Sequence, residues 1–179
     1  MRIDDIKLLF DYHYWATQRI LETTAQVSEA QYIAPANTGI SFGSLRGALV
    51  HLVDTEWQWR ITCQGFYAAQ MTEAEYEATE LKEEHFPTLE GVLTRWHTEE
   101  LSMRAYIESL NDEQLNGFIR ITLPSGTVRE RVLWHCLVHV VNHGTQHRSE
   151  AAALLTTYGH SPGDLDFTLF LNKRFNLPD

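Results

Sequence analysis

The 179-residue chain has the length of one ordinary domain, with 44% hydrophobic residues to build a core and a composition unlike that of disordered chains. Its formal net charge of −10, without any cluster of Lys or Arg, excludes a nucleic-acid or anionic-membrane surface, because phosphate binding needs concentrated positive charge. Two cysteines, Cys63 and Cys136, stand far apart and outside any C-x-x-C pair, which excludes a disulfide framework or a cysteine-based zinc finger and leaves two small buried thiols on helices.

The first stretch, "MRIDDIKLLFDYHYW", carries acids early and no long apolar run, so neither a signal peptide nor a membrane span is expected, and the expected compartment is the cytoplasm. A first helix is predicted from about Ile3 to Val27, with Ile6, Leu9, Phe10, Ala16, Ile20 and Val27 at helical spacing. Asp4 and Asp5 fall in its first turn, where the helix dipole favours anions. His13 lies on its apolar stripe and reads as a core histidine. A second helix starts with Ser44 as N-cap, before "LRGALVHLVDTEWQWRITCQGF". A third begins near Thr88, at "TLEG", and runs to Leu110.

The segment "GFIRITLPSGTVRERV" alternates apolar and polar residues around Pro124-Ser125-Gly126, the pattern of a short hairpin. A fourth helix is predicted from about Arg129 to Tyr158, ending at Gly159, and the tail "DLDFTLFLNKRF" adds a short fifth. The expectation is a single all-α domain over 1–179, a four-helix bundle with a short β-hairpin before the last long helix. Internal repeats, GxGxxG and P-loop patterns are absent from the sequence.

The fourth helix carries a ladder, His135, His139, His143 and His147, at intervals of four. Each step overshoots a full turn by about 40°, so the four fan across roughly 120° and rise about 18 Å. One ion cannot touch all four, but adjacent members are surface neighbours. Measured from His143, the residues Val132, Cys136, Val140, His147, Ala151 and Leu154 fall within about 80°. His143 and His147 therefore belong to the apolar arc. His139 sits at its edge and suits a pocket rim, while His135 aligns with the polar stripe of Asn142, Gln146 and Ser149 and faces solvent or an interface. His85, His97 and His160 carry no pattern and are expected in solvent.

A third ligand must come from another helix, and the second offers His51, flanked at helical spacing by Gly47, Ala48, Asp54 and Thr55. Three histidines with one open position are what a catalytic zinc-type site needs, and imidazole suits nickel, iron and copper too. Glu150 lies within about 20° of His143 in projection. It can orient a ligand imidazole, join the metal shell or act as a base; the bland alternative is a pair with Arg148 or Arg46, or plain solvation. His143 is followed by Gly144 and His139 by Val140, so there is no H-E-x-x-H motif and no metalloprotease base. Trp57 and Trp59 are expected to pack against neighbouring helices or a dimer partner, with pocket lining as the alternative.

The segments "YHYWATQRIL", "LRGALVHLVDTEWQW", "LWHCLVHVVNHGTQHRSEAAALL" and the trailing "GHSPGDLDFTLFL" resemble, in order and spacing, the DinB-like (DinB/YfiT-like) metalloenzyme family. The resemblance spans nearly the whole chain, and "VNHGTQHR" is its most specific element. It implies a damage-inducible four-helix bundle holding a divalent ion (zinc, nickel or iron) on His51, His143 and His147, and it implies a homodimer. One departure stands out: family members often read H-R-G-Q where this chain reads His147-Arg148-Ser149-Glu150, which alters charge and basicity around the ion. Relatives include enzymes dependent on low-molecular-weight thiols such as bacillithiol or mycothiol.

Two readings follow. As an enzyme, a metal-dependent transferase or hydrolase, the protein would act on a small molecule, with the ion lowering the pKa of a bound water or thiol and His139 or Glu150 handling the proton. As a non-catalytic module, it would be a metal-buffering or metal-sensing dimer, or a bundle with a structural ion. Structural zinc usually has four protein ligands, so a structural ion would need Glu150 or His139 to complete the shell.

Overall fold

The computed structural model describes residues 1–36, 41–65, 71–123 and 125–178. Helix α1 (Ile3–Thr24) has Asp4 and Asp5 in its first turn and buries Ile6, Phe10, Ala16 and Ile20. It stops three residues short of the predicted Val27 because Ser28 begins a new element. The Ser28 hydroxyl accepts from the Gln31 amide at 3.2 Å and the Gln31 side chain accepts from the Ser28 amide at 2.9 Å, a reciprocal cap for α2 (Glu29–Ile33).

Ser44 does cap the next long helix, α3 (Leu45–Cys63), accepting from the Gly47 amide at 2.8 Å. Two short elements follow, α4 (Glu73–Glu77) and a 3₁₀ turn at Glu83–His85. Helix α5 (Leu89–Glu108) starts on the Thr88 hydroxyl. It ends two residues before the predicted Leu110, since Asn111 is already the cap of α6 (Asp112–Asn116).

The hairpin is present. Strands β1 (Phe118–Thr122) and β2 (Val128–Val132) pair antiparallel, with Phe118 opposite Val132 and Thr122 opposite Val128. The predicted turn residue Pro124 lies outside the described residues; Gly126, at φ +79°, supplies the left-handed turn position. Helix α7 (Leu133–Thr157) begins four residues later than the predicted Arg129 because Arg129–Val132 is committed to the ladder. It ends where expected. The Gly159 amide donates to Thr156 (3.0 Å) and the His160 amide to Leu155 (2.9 Å), a Schellman closure needing the positive φ of Gly159. The tail forms α8 (Phe167–Phe175).

The described chain is thus mostly helical with one small hairpin. Helix α7 packs on both α1 and α3, and α5 on both α3 and α1. One apolar cluster gathers Ile6, Phe10, Met103, Leu137 and Val140; a second gathers Ile20, Leu45, Leu49, Val92 and Leu155. Both cysteines are buried and free, and a thiol hydrogen bond joins them across α3 and α7, holding the Cys63 proton well above the ordinary thiol range. Fully buried Glu99 locks α5 to α3, taking the Arg60 guanidinium through two nitrogens and Arg95 at 3.2 Å. Among the described residues no helix is long and apolar enough to cross a membrane.

Candidate metal centre

The α3–α7 seam brings His51, His143 and His147 together, each offering one ring nitrogen within 4.8 Å of the others. The Nε2 atoms of His51 and His143 are 3.2 Å apart, and Thr55 Oγ1 is 3.3 Å from His51 Nε2. His147 is buried, while His51 and His143 are half-buried and keep access from outside. Phe42 stacks on His51 with ring centroids 3.6 Å apart and meets His147 edge-on at 5.1 Å. Gly47 permits this approach: a Cβ there would collide with the Phe42 carbonyl oxygen.

His147 is held from its far side. Its Nδ1 faces Glu150 Oε2 at 3.1 Å, and the same carboxylate accepts from the Ser41 amide (3.2 Å) and hydroxyl (3.0 Å). An ionised carboxylate only accepts, so Nδ1 carries the proton and Nε2 is left as the free nitrogen. Partial burial pushes the Glu150 carboxyl up, but the Ser41 and His147 hydrogen bonds outweigh it and hold the group below its ordinary value.

Burial, reinforced by the neighbouring imidazoles, lowers His51 to about 4 and His143 to about 4. Both rings are therefore neutral at pH 7, with lone pairs available. Between pH 6.5 and about 4 the unfolded chain takes protons on these two residues that the folded chain refuses. Their contribution to stability is complete above 6.5 and declines on acidification through that window. Melting curves of metal-free protein should fall from pH 7 to pH 5, and fall less steeply in His143→Ala; parallel curves would remove the repelling site as the cause.

The other sequence expectations divide. His13 is in the core, 1% exposed. His135 is exposed beside Trp134. His139 is also exposed at the rim, its ring 5.6 Å from His143 and edge-on to Trp59 at 4.9 Å. Trp57 instead lies under Arg95. His85 and His97 are exposed as expected, but His160 is half-buried, drawn in by the closure of α7. The bland partners for Glu150 are engaged elsewhere: Arg46 pairs with Glu83 at 3.2 Å, and Arg148 donates to His13, Thr17 and Thr145.

Arg148, 1% exposed, is the residue that sequence reasoning missed most plainly. Its Nη1 donates to His13 Nδ1 at 2.9 Å and to Thr17 at 3.3 Å, and Nη2 donates to Thr145 at 3.0 Å. Since arginine has no acceptor, His13 carries its proton on Nε2, 2.9 Å from Glu56 Oε2. Tyr14 donates to the other Glu56 oxygen. Burial lowers the Arg148 guanidinium to about 10, still cationic at neutral pH, and burial with Arg148 lowers His13 and keeps it neutral. The available signal was Glu56, a charge on the stripe Leu45, Leu49, Leu52 and Cys63.

Gly144 makes the network possible. A Cβ there would lie 2.5 Å from His13 Cε1 and 2.7 Å from Arg148 Nη1. Gly144→Ala should destabilise the fold by about 1–3 kcal/mol through overpacking, despite alanine's higher helix propensity. Urea unfolding measures this, and an unchanged or raised midpoint would contradict it.

The DinB family model matches residues 3–175. Protein DinB of Bacillus subtilis (strain 168) is 29% identical over 166 residues, 91% of this chain and 91% of that protein.

Proposed function

The chain belongs to the DinB family, and from that membership and its histidine cluster we propose that it is a metal-dependent enzyme acting on a small molecule, as a transferase or hydrolase in a four-helix-bundle domain. The observation that carries the reading is the convergence of three imidazole nitrogens within 4.8 Å. The donor set fits a divalent ion such as zinc, nickel or iron: His51 and His143 are neutral at pH 7, and Glu150 leaves His147 Nε2 free.

In this proposal His51, His143 and His147 hold the ion, and three protein ligands leave a position for a water or a low-molecular-weight thiol. When bound, the ion supplies Lewis acidity that lowers the pKa of that group. Glu150 fixes the His147 ring through Nδ1, which suits orientation better than metal ligation. His139, exposed and beside His143, is the residue placed to exchange a proton with solvent. Trp59, edge-on to His139, offers an aromatic wall at that mouth. A homodimer belongs to the same reading, as does a cytoplasmic location, which the free, buried Cys63 and Cys136 fit.

The test is a panel of thiols, each paired with an electrophile, and of small hydrolysable esters and amides, run on zinc-, nickel- and iron-loaded protein. Turnover lost in His143→Ala and reduced in His139→Ala supports the enzyme. Retained metal without turnover across the panel would move the protein to the metal-binding module.

A further inference from the structure

The His13–Tyr14–Glu56–Arg148 network consumes four buried polar side chains, and none of its hydrogen bonds goes to His51, His143 or His147. Its members lie on three helices: His13 and Tyr14 on α1, Glu56 on α3 and Arg148 on α7. Two of these helices supply the cluster. Glu56 stands five residues after His51, and Arg148 directly follows His147. His13 lies against the α7 backbone at Gly144, the residue following His143. Each ligand-bearing turn is thereby tied to α1, which contributes no ligand of its own.

Apolar side chains of similar size would hold the three helices at least as firmly, because burying a charge pair costs desolvation that its attraction barely repays. What such packing lacks is direction. Leucine-like contacts tolerate a slip of a helix along its axis, whereas a chain of hydrogen bonds from Tyr14 through Glu56 and His13 to Arg148 has one register. A turn is about 5.4 Å, so a fraction of a turn would part His51 Nε2 from His143 Nε2, now 3.2 Å apart.

We propose that Tyr14, Glu56, His13 and Arg148 are positioning residues, a register pin that sets α3 against α7 so that His51, His143 and His147 converge on one ion. This inference rests on the metal reading above. It assigns metal affinity to residues that touch no metal.

The deciding variant removes every polar end at once: His13→Leu, Tyr14→Phe, Glu56→Leu and Arg148→Met. With no charge left unpaired, the metal-free variant should unfold at or above the wild-type temperature, yet bind Zn²⁺ roughly 10- to 100-fold more weakly. Its Co²⁺ complex should also show a shifted visible absorption spectrum. His13→Gln keeps an acceptor for Arg148 and a donor for Glu56, and should retain affinity that His13→Leu loses. Leu115→Ala, a buried apolar site on α6 outside the hydrogen-bonded network, controls for destabilisation alone and should bind Zn²⁺ as wild type does.

Wild-type affinity and an unchanged Co²⁺ spectrum in the four-site variant would overturn the pin while leaving the metal reading intact. Equal affinity losses in His13→Leu, His13→Gln and Leu115→Ala would overturn it as well, by reducing the network to general stability. Absence of Zn²⁺ binding in the wild type would overturn the metal reading and the pin with it.

Discussion

His143→Ala or His147→Ala should abolish tight binding of a divalent ion, His51→Ala should weaken or abolish it, and His135→Ala should change nothing. The expectation follows from where the rings sit. His143 and His147 occupy successive turns of α7 on its inward face, with Cys136, Val140 and Ala151 buried on the same arc. His51 reaches the same point from α3. Losing one ligand of three should cost more than the roughly 10- to 100-fold carried by residues that only support a ligand. His147→Ala also leaves the Glu150 carboxylate, behind the ring, without its Nδ1 partner. His135, one turn beyond the rim and exposed, is the control. The measurement is elemental analysis of untagged wild type and the four variants after exchange into metal-free buffer, followed by Zn²⁺ titration. About one ion per chain, lost only with the inner three, is the expected result. Equal metal contents in all five proteins would reduce the ladder to a surface pattern.

How much of this was legible without coordinates depends on what kind of signal each residue left. The trio could be read because helical projection is a strict geometric rule: residues four apart share a face, and the apolar neighbours say which face is inward. His13 was legible as core for the same reason. Helix ends read less well. Ser44, Thr88 and Gly159 announced theirs through cap chemistry, whereas the start of α7 was misplaced because "RERV" can serve a strand or a first helical turn, and only pairing with β1 decides. Arg148 was weighed only as a partner for Glu150, because arginine is seldom fully buried and the partners that make its burial tolerable are 131 and 135 residues away on α1. Ser41 and Phe42 were invisible for a related reason. They lie on a loop whose course is set by Gly47 and the Ser44 cap, so no periodicity marks them as neighbours of His51, His147 and Glu150.

The same buried network gives the second large effect, this time on stability. Glu56 is 1% exposed and provides the negative charge for Arg148, with neutral His13 between them. Glu56→Leu strands a buried cation whose remaining partners are all uncharged: the His13 imidazole, the Thr17 and Thr145 hydroxyls and Tyr12. Breaking a buried pair from one side typically costs about 3–5 kcal/mol, equivalent to a melting temperature roughly 6–20 °C lower in a chain of this size. Arg148→Met should cost a similar amount, leaving the carboxylate stranded instead. The two losses should not add: in Glu56→Leu/Arg148→Met neither charge remains, and most of the stability returns. Glu130→Ala offers the contrast, since the Arg120–Glu130 pair on the hairpin is at 3.5 Å with side chains 71% and 59% exposed and should barely register. Thermal and urea unfolding of the metal-free proteins complete the cycle. Strictly additive losses would mean that Arg148 and Glu56 act independently, and the chain of hydrogen bonds through His13 would then not couple α3 to α7.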